Sequence, residues 1–495
     1  MKNNNLDHPE LINGPNPLLE AMAPYISFED MPAALARQPL ESLNWRAIPP
    51  AQRITFLEQY KWHYWPSSLV LDLAESIQTM LRSGLAARNP FSVPEQRRIN
   101  TLALTGEAHN MPLQSLRTPA GGGIISAITG MGKSAVLART LEVIAPQQVV
   151  VHSRSEACGW STLTQVLYLV IDAPFNGTPG GLLARIVEGL DVLLGTDYAN
   201  DRRKLRNLDQ QLLFVTKLLS NHRVGLLAID ENQQANFDES FWQKSFVLFF
   251  LGLMNLGIPI LLLGNPLAFV GLESASQDIR RFSTAGYHKL TPAPSFSETW
   301  WSREFVPGMC LFSLCDEVPA KEGIVEQTFD MSAGVPGLFG PLWIEAQRIA
   351  LRRGGEVAQL EHADFIAALD TPRVRELHAM ALQVRGKAPA HRFTDMPFKS
   401  RGAPGSAQSI PADECDGAST PQARVSSDHV GAVRKAMERK VKAKERAAEK
   451  RREKAEHLTP EDMRRHELQM EMFASLRGTQ EPLLAGSDRA PPKRR

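Results

Sequence analysis

Gly121-Gly122-Gly123-Ile124-Ile125-Ser126-Ala127-Ile128-Thr129-Gly130-Met131-Gly132-Lys133-Ser134-Ala135-Val136-Leu137-Ala138-Arg139-Thr140 decides how the chain is read. The order is strand, tight loop, helix. Ile124, Ile125 and Ser126 make a short strand, residues 129–132 the turn, and Lys133 and Ser134 open a helix that sends Val136 and Leu137 to a core. This is the pattern of a phosphate-binding loop. Glycines let backbone N–H groups close around phosphate oxygens, and the helix N-terminus adds partial positive charge. Thr129, Gly130, Met131, Gly132, Lys133, Ser134 and Ala135 are the expected nucleotide contacts. Lys133 would neutralise the outer phosphates, and the Ser134 hydroxyl would bind Mg²⁺. The usual pattern begins with glycine, and Ala127 stands there instead. Alanine fits if its φ stays negative. The alternative is a chance Gly-Lys-Ser after a glycine-rich loop.

The second half of such a site lies at residues 224–231, Val-Gly-Leu-Leu-Ala-Ile-Asp-Glu. A buried strand running into two carboxylates puts Asp230 at its C-terminal end, where α/β sheets bind ligands. Asp230 would hold the metal, and Glu231 would act as general base on the attacking water. Residues 258–263 read as another strand, ending in Gly264-Asn265-Pro266. Asn265 stands where an AAA+ ATPase keeps the polar residue that orients water, although Gly-Asn-Pro is also good turn chemistry. Arg280 and Arg281 precede a last short strand, residues 287–290. Either could reach a neighbouring subunit's nucleotide, or serve a salt bridge.

Around these motifs, 495 residues with 43% apolar content allow several domains. Residues 1–98 read as short helices with an aromatic cluster at Trp62, Tyr64 and Trp65, either packing on the core or docking a partner. Residues 99–290 alternate strand and helix patterns, which implies a parallel sheet with both faces covered. Within them, residues 148–152 read as a buried parallel strand and residues 166–171 as the next. Residues 291–385 read as a helical lid; Gly337 occupies the place of the arginine that many such lids carry. Residues 386–430, rich in Pro, Gly, Ser and Ala, form a linker.

Charge is uneven. The formal net charge is +1, but residues 386–495 hold 23 Lys/Arg against 16 Asp/Glu. Attraction to nucleic acid is therefore concentrated in the basic tail, residues 431–495, which could equally meet an acidic protein. Four cysteines without a CxxC pair argue against zinc and fit a reducing cytoplasm. The first residues lead into no apolar signal core. The apolar run 246–263 is broken by Asn255, Gly257 and Pro259 and reads as helix end plus strand, so no membrane partner is expected.

The intervening blocks narrow the reading. His152-Ser153, Asp172-Ala173-Pro174-Phe175-Asn176-Gly177-Thr178, Leu190-Asp191-Val192-Leu193-Leu194-Gly195-Thr196-Asp197-Tyr198, Ile229-Asp230-Glu231-Asn232-Gln233 and Leu263-Gly264-Asn265 resemble the corresponding blocks of TnsC/TniB-type transposition ATPases. The resemblance covers about residues 100–350. It implies an AAA+ P-loop core with helical lid, helical N-terminal region and basic tail, working in the bacterial cytoplasm on DNA. It also implies ATP and Mg²⁺ as cofactors, and rings or helical filaments on double-stranded DNA. Expected partners are a TniQ/TnsD-like target selector and DDE transposase subunits of TnsB-like and TnsA-like type. By the same resemblance Arg154, in the loop after the second strand, is the candidate DNA contact. A DNA-independent signalling or secretion ATPase, or a nucleotide-gated scaffold with little hydrolysis, are the competing readings.

Overall fold

The computed structural model describes residues 14–104, 120–174, 178–232, 244–269, 272, 276–354, 357–388 and 392–393. The linker and tail expected over 386–430 and 431–495 lie outside the described residues, apart from 386–388 and 392–393.

Five strands form a parallel sheet in the order β4-β5-β6-β1-β7: β4 is Tyr168–Asp172, β5 Leu226–Asn232, β6 Ile260–Gly264, β1 Gly122–Ala127 and β7 Tyr287–Leu290. Alternate residues along these strands enter two different cores. Ile125, Ala228 and Leu261 face one, which includes Val136 and Leu137 of the P-loop helix Lys133–Ile144. Ile124, Leu227, Ile229 and Leu262 face the other, with Leu183 and Ile186 of the helix Pro179–Leu194 and Val215 of the helix Leu208–Asn221. Burial on both faces is why these strands read as unbroken apolar runs. The expected α/β class with a covered parallel sheet is the one observed.

The second strand is a correction. Val149–His152 (β2) was expected in the parallel sheet. It pairs antiparallel with Leu163–Val166 (β3) in a separate two-stranded sheet, and Val151 is exposed. The run 166–171 is likewise divided. Val166 ends β3, Leu167 donates to Gln148 O at 2.8 Å, and β4 then joins β5. A short valine-rich run satisfies an edge hairpin as well as a buried strand, because β-propensity reports a pleated surface and not its neighbours.

The N-terminal region is fastened to the P-loop helix. Arg139 donates to Leu35 O at 2.8 Å and to the Ala34 and Ala36 carbonyls at 3.2 Å, and Ala23 N–H to Ile144 O at 3.1 Å. The helix Ser68–Ala86 lies against the sheet, Leu81 and Met80 reaching its core. From Trp300 onward the described chain is helical, with only an isolated bridge between Glu317 and Gln359. Trp301, Phe305, Phe339 and Trp343 build its aromatic centre.

Gly225, just before β5, shows how closely the layers meet. A Cβ there would sit 2.3 Å from Leu167 O and 2.4 Å from Leu81 Cδ1. Backbone cannot yield as a side-chain tip does. Gly225→Ala should destabilise the protein by about 3 kcal/mol, the upper end for overpacking. Chemical denaturation checks this, and an unchanged midpoint would show that β4 and β5 can part without cost.

Candidate nucleotide site

The P-loop takes its shape from two glycines. Gly130 and Gly132 have φ of +88° and +83°, a left-handed conformation that side chains resist. Gly132 is the N-cap of the helix Lys133–Ile144 and lacks a capping side chain. Ala127 belongs to β1 and is buried. Among described non-glycine residues only Arg223 and Ala333 have positive φ, so alanine is accommodated in the place of the usual first glycine.

Lys133 turns back over the loop. Its Nζ donates to Ala127 O at 2.8 Å and Ile128 O at 3.2 Å. Burial holds the amine below the ordinary lysine value, while the Asp230 charge works in the opposite sense. Asp230 is buried on β5, in register with Asp172 of β4. Asn265 follows β6, which lies between β5 and β1; it is buried, and its Oδ1 accepts from Leu267 N–H at 3.1 Å. Lys133, Asp230 and Asn265 therefore gather at the C-terminal edge of the sheet. Glu231 follows Asp230 within β5, and Thr129, Ser134 and Ala135 are exposed on the loop and first helical turn.

The remaining candidates lie elsewhere. Arg280 and Arg281 are exposed on the helix Ser276–Phe282, near the start of β1; Arg281 Nη2 donates to Asn255 Oδ1 at 2.8 Å. A Cβ on Gly122 would sit 3.1 Å from Arg281 O, which puts this helix at the edge opposite Lys133. Neither arginine can serve the same molecule's site. Arg154 lies on the loop between β2 and β3, 73% exposed and paired with Glu156 at 2.8 Å.

Sequence reasoning missed a cavity of about 310 Å³ beside the loop. Tyr64, Trp65 and Leu69 line it from the N-terminal region, Phe305 and Met309 from the helical region, and Gly130, Met131, Gly132 and Ala135 from the loop. Its walls are largely apolar and aromatic, and its size is that of a small-ligand site. The signal was the aromatic cluster at Trp62, Tyr64 and Trp65, of which Tyr64 and Trp65 line the cavity; what placed them was the folding back of that segment. The residues fit a nucleotide: N–H groups at a helix start, a lysine holding carbonyl oxygens, a buried carboxylate at a strand end and an apolar slot for a base.

Gly337, where an arginine stands in many lids, is explained by contact. Its N–H donates to Gly130 O at 2.7 Å, and a Cβ on it would lie 2.7 Å from Gly130 Cα. No side chain fits there. Gly337→Ala should push the helix Pro336–Arg353 off the loop and weaken nucleotide binding about tenfold, roughly 1.4 kcal/mol. Titration with a fluorescent nucleotide reads this directly, and unchanged affinity would mean the contact is dispensable.

The fold is thus a parallel α/β sheet with one strand between the strand leading into the glycine loop and the strand carrying Asp230, and with a helical region touching that loop. No protein-family model matches the chain, and no curated protein matches it in sequence. Solved structures similar to it include Drosophila ORC bound to DNA, 14% identical over 61% of this chain and 68% of that one, with a TM-score of 0.34. The Aeropyrum pernix ORC1 protein in complex with DNA is 17% identical, covering 55% of this chain and 63% of that one, TM-score 0.31. Cdc6p from Pyrobaculum aerophilum is 10% identical over 61% and 86%, TM-score 0.36. The chain thus spans less than two thirds of the Aeropyrum protein. Among the described residues no helix is long and apolar enough to cross a membrane.

Proposed function

We propose that the protein is an ATP-dependent AAA+ regulator of DNA transposition, of TnsC/TniB type. In this reading it assembles on double-stranded DNA and links a TniQ/TnsD-like target selector to TnsB-like and TnsA-like transposase subunits. The observation that carries the nucleotide half is the convergence of Lys133, Asp230 and Asn265 beside a loop whose glycines present backbone N–H groups. The transposition half rests on the sequence blocks of residues 100–350.

In this mechanism Lys133 exchanges its two carbonyl partners for phosphate oxygens. Ser134 and Asp230 hold Mg²⁺, which when bound neutralises charge on the phosphates. Glu231 takes the proton of the attacking water, and Asn265 orients that water. Arg280 or Arg281 reaches the site of a neighbouring copy, so turnover depends on assembly. Arg154 contacts DNA, and the basic tail contributes contacts to DNA or to the transposase.

The test is ATPase activity of the purified protein with and without double-stranded DNA, with negative-stain imaging in a non-hydrolysable ATP analogue. DNA-stimulated turnover and rings or filaments on DNA are expected. Turnover indifferent to DNA, with no assembly, would favour a DNA-independent signalling or secretion ATPase. Assembly without turnover would favour a nucleotide-gated scaffold.

A further inference from the structure

At the opposite edge of the sheet from Lys133, three arginines are buried. Arg88 follows the helix Ser68–Ala86, Arg98 lies on the helix Val93–Leu104, and Arg223 occupies the turn before β5. They are 0%, 1% and 7% exposed. Burial, then the charge of Arg98, push the Arg88 guanidinium down to about 9, with Glu95 opposing and Arg223 adding to the shift. It still carries its charge at neutral pH.

Their hydrogen bonding does not close. Glu95, the buried carboxylate among them, is consumed by Arg98, whose Nε and Nη2 both donate to it at 2.6 Å. Arg88 Nε donates to Gly84 O at 2.9 Å, and Arg223 Nη1 to Ser220 O at 3.0 Å. Among the described residues, Arg88 Nη1 and Nη2, Arg98 Nη1 and Arg223 Nε are buried without an acceptor. Among the described residues neither Arg88 nor Arg223 has an ion pair. Among the described residues three cations face one carboxylate, and in a low dielectric this would cost a large part of a domain's stability unless a further anion is present. Planar guanidiniums with paired N–H groups match oxyanions in particular.

We propose that Arg88, Arg98 and Arg223 form a buried site for a tetrahedral oxyanion, phosphate or sulfate, separate from the nucleotide site. The anion ties the helix Val93–Leu104 to the turn before β5. It also braces the loop after β2, where Cys158 is buried and Ala157 O accepts from Gln96 Nε2 at 2.9 Å. From Arg223 to Asp230 the chain runs along β5, so the two sites lie about 20 Å apart. The free N–H groups are closed to solvent. The anion is therefore admitted by rotation of the long arginine side chains and exchanges slowly.

The experiment uses the full chain carrying Lys133→Ala, which disables the P-loop as a second phosphate holder. The protein is prepared in phosphate, passed into a chloride buffer and denatured, and the released anion is measured by ion chromatography. Roughly one equivalent of phosphate per chain is expected, with Tm rising on addition of phosphate or sulfate and not of chloride at equal ionic strength. A response to only one of the two names the anion. Adding Arg88→Met and Arg223→Met should abolish both the retained anion and the oxyanion dependence of Tm. Absence of retained anion together with a Tm indifferent to phosphate and sulfate would overturn the proposal. So would an arginine-to-methionine protein more stable than its parent in phosphate, because removing unpaired buried charge then relieves repulsion. If that variant does not fold, the measurements on the parent decide.

Discussion

Lys133→Ala should weaken ATP binding at least 100-fold, about 3 kcal/mol, while leaving the nucleotide-free protein as stable as before. The first half follows from losing a charge-assisted contact to the phosphates in a partly desolvated loop. The second follows from what the amine does without nucleotide. It is half-buried, its charge is disfavoured by that burial, and its partners are two backbone carbonyls, Ala127 O and Ile128 O. Removing it relieves desolvation at the cost of two hydrogen bonds, and these effects nearly offset. Thermal unfolding with and without ATP separates the two. The parent protein should gain about 2.7 kcal/mol at an ATP concentration 100 times its Kd, and the variant at most about 0.4 kcal/mol. A variant stabilised by ATP as much as its parent would place the phosphates elsewhere, and a variant that loses stability without nucleotide would make Lys133 a structural residue.

Glu231→Gln should lower hydrolysis by about 10²- to 10⁴-fold, the usual contribution of a positioned general base, with ATP affinity unchanged. Glutamine keeps the shape and hydrogen-bonding reach and loses only the ability to take a proton. Asp230→Asn is the contrast. Asp230 is buried at the strand end and expected to hold Mg²⁺, so its change should reduce binding and turnover together. Single-turnover kinetics beside equilibrium nucleotide titration distinguishes the two. Normal turnover in Glu231→Gln would remove that residue from the mechanism. Assemblies trapped on DNA by the same variant would add support for the proposed function.

The candidate site residues could be named from the sequence because they sit in motifs whose spacing is local. A glycine loop followed by Lys-Ser needs only the turn and helix it opens, and an apolar run ending in Asp-Glu needs only the strand it terminates. Other features were not legible, since they are contacts between segments distant in sequence. The aromatic cluster at residues 60–65 could pack on the core or receive a partner. Its position beside Gly130 and Met131 depends on residues 14–66 folding over the P-loop helix. Val149–His152 carries the composition of a core strand and was misplaced, because its pairing with Leu163–Val166 lies in hydrogen bonds that composition does not encode. Gly337 could be seen as a missing arginine, yet the reason is a 2.7 Å contact with Gly130. Arg88, Arg98 and Arg223, spread over 136 positions of sequence, belong to no local motif, and only burial brings them together.

The sequence by itself determined the glycine loop that opens a helix, the acidic strand end and the parallel α/β class, since each depends on backbone conformation and apolar periodicity within a few residues. Only the tertiary structure decided the cavity beside the glycine loop, the contact of Gly337 with Gly130, and the buried arginines, because packing and desolvation are set by which distant surfaces meet.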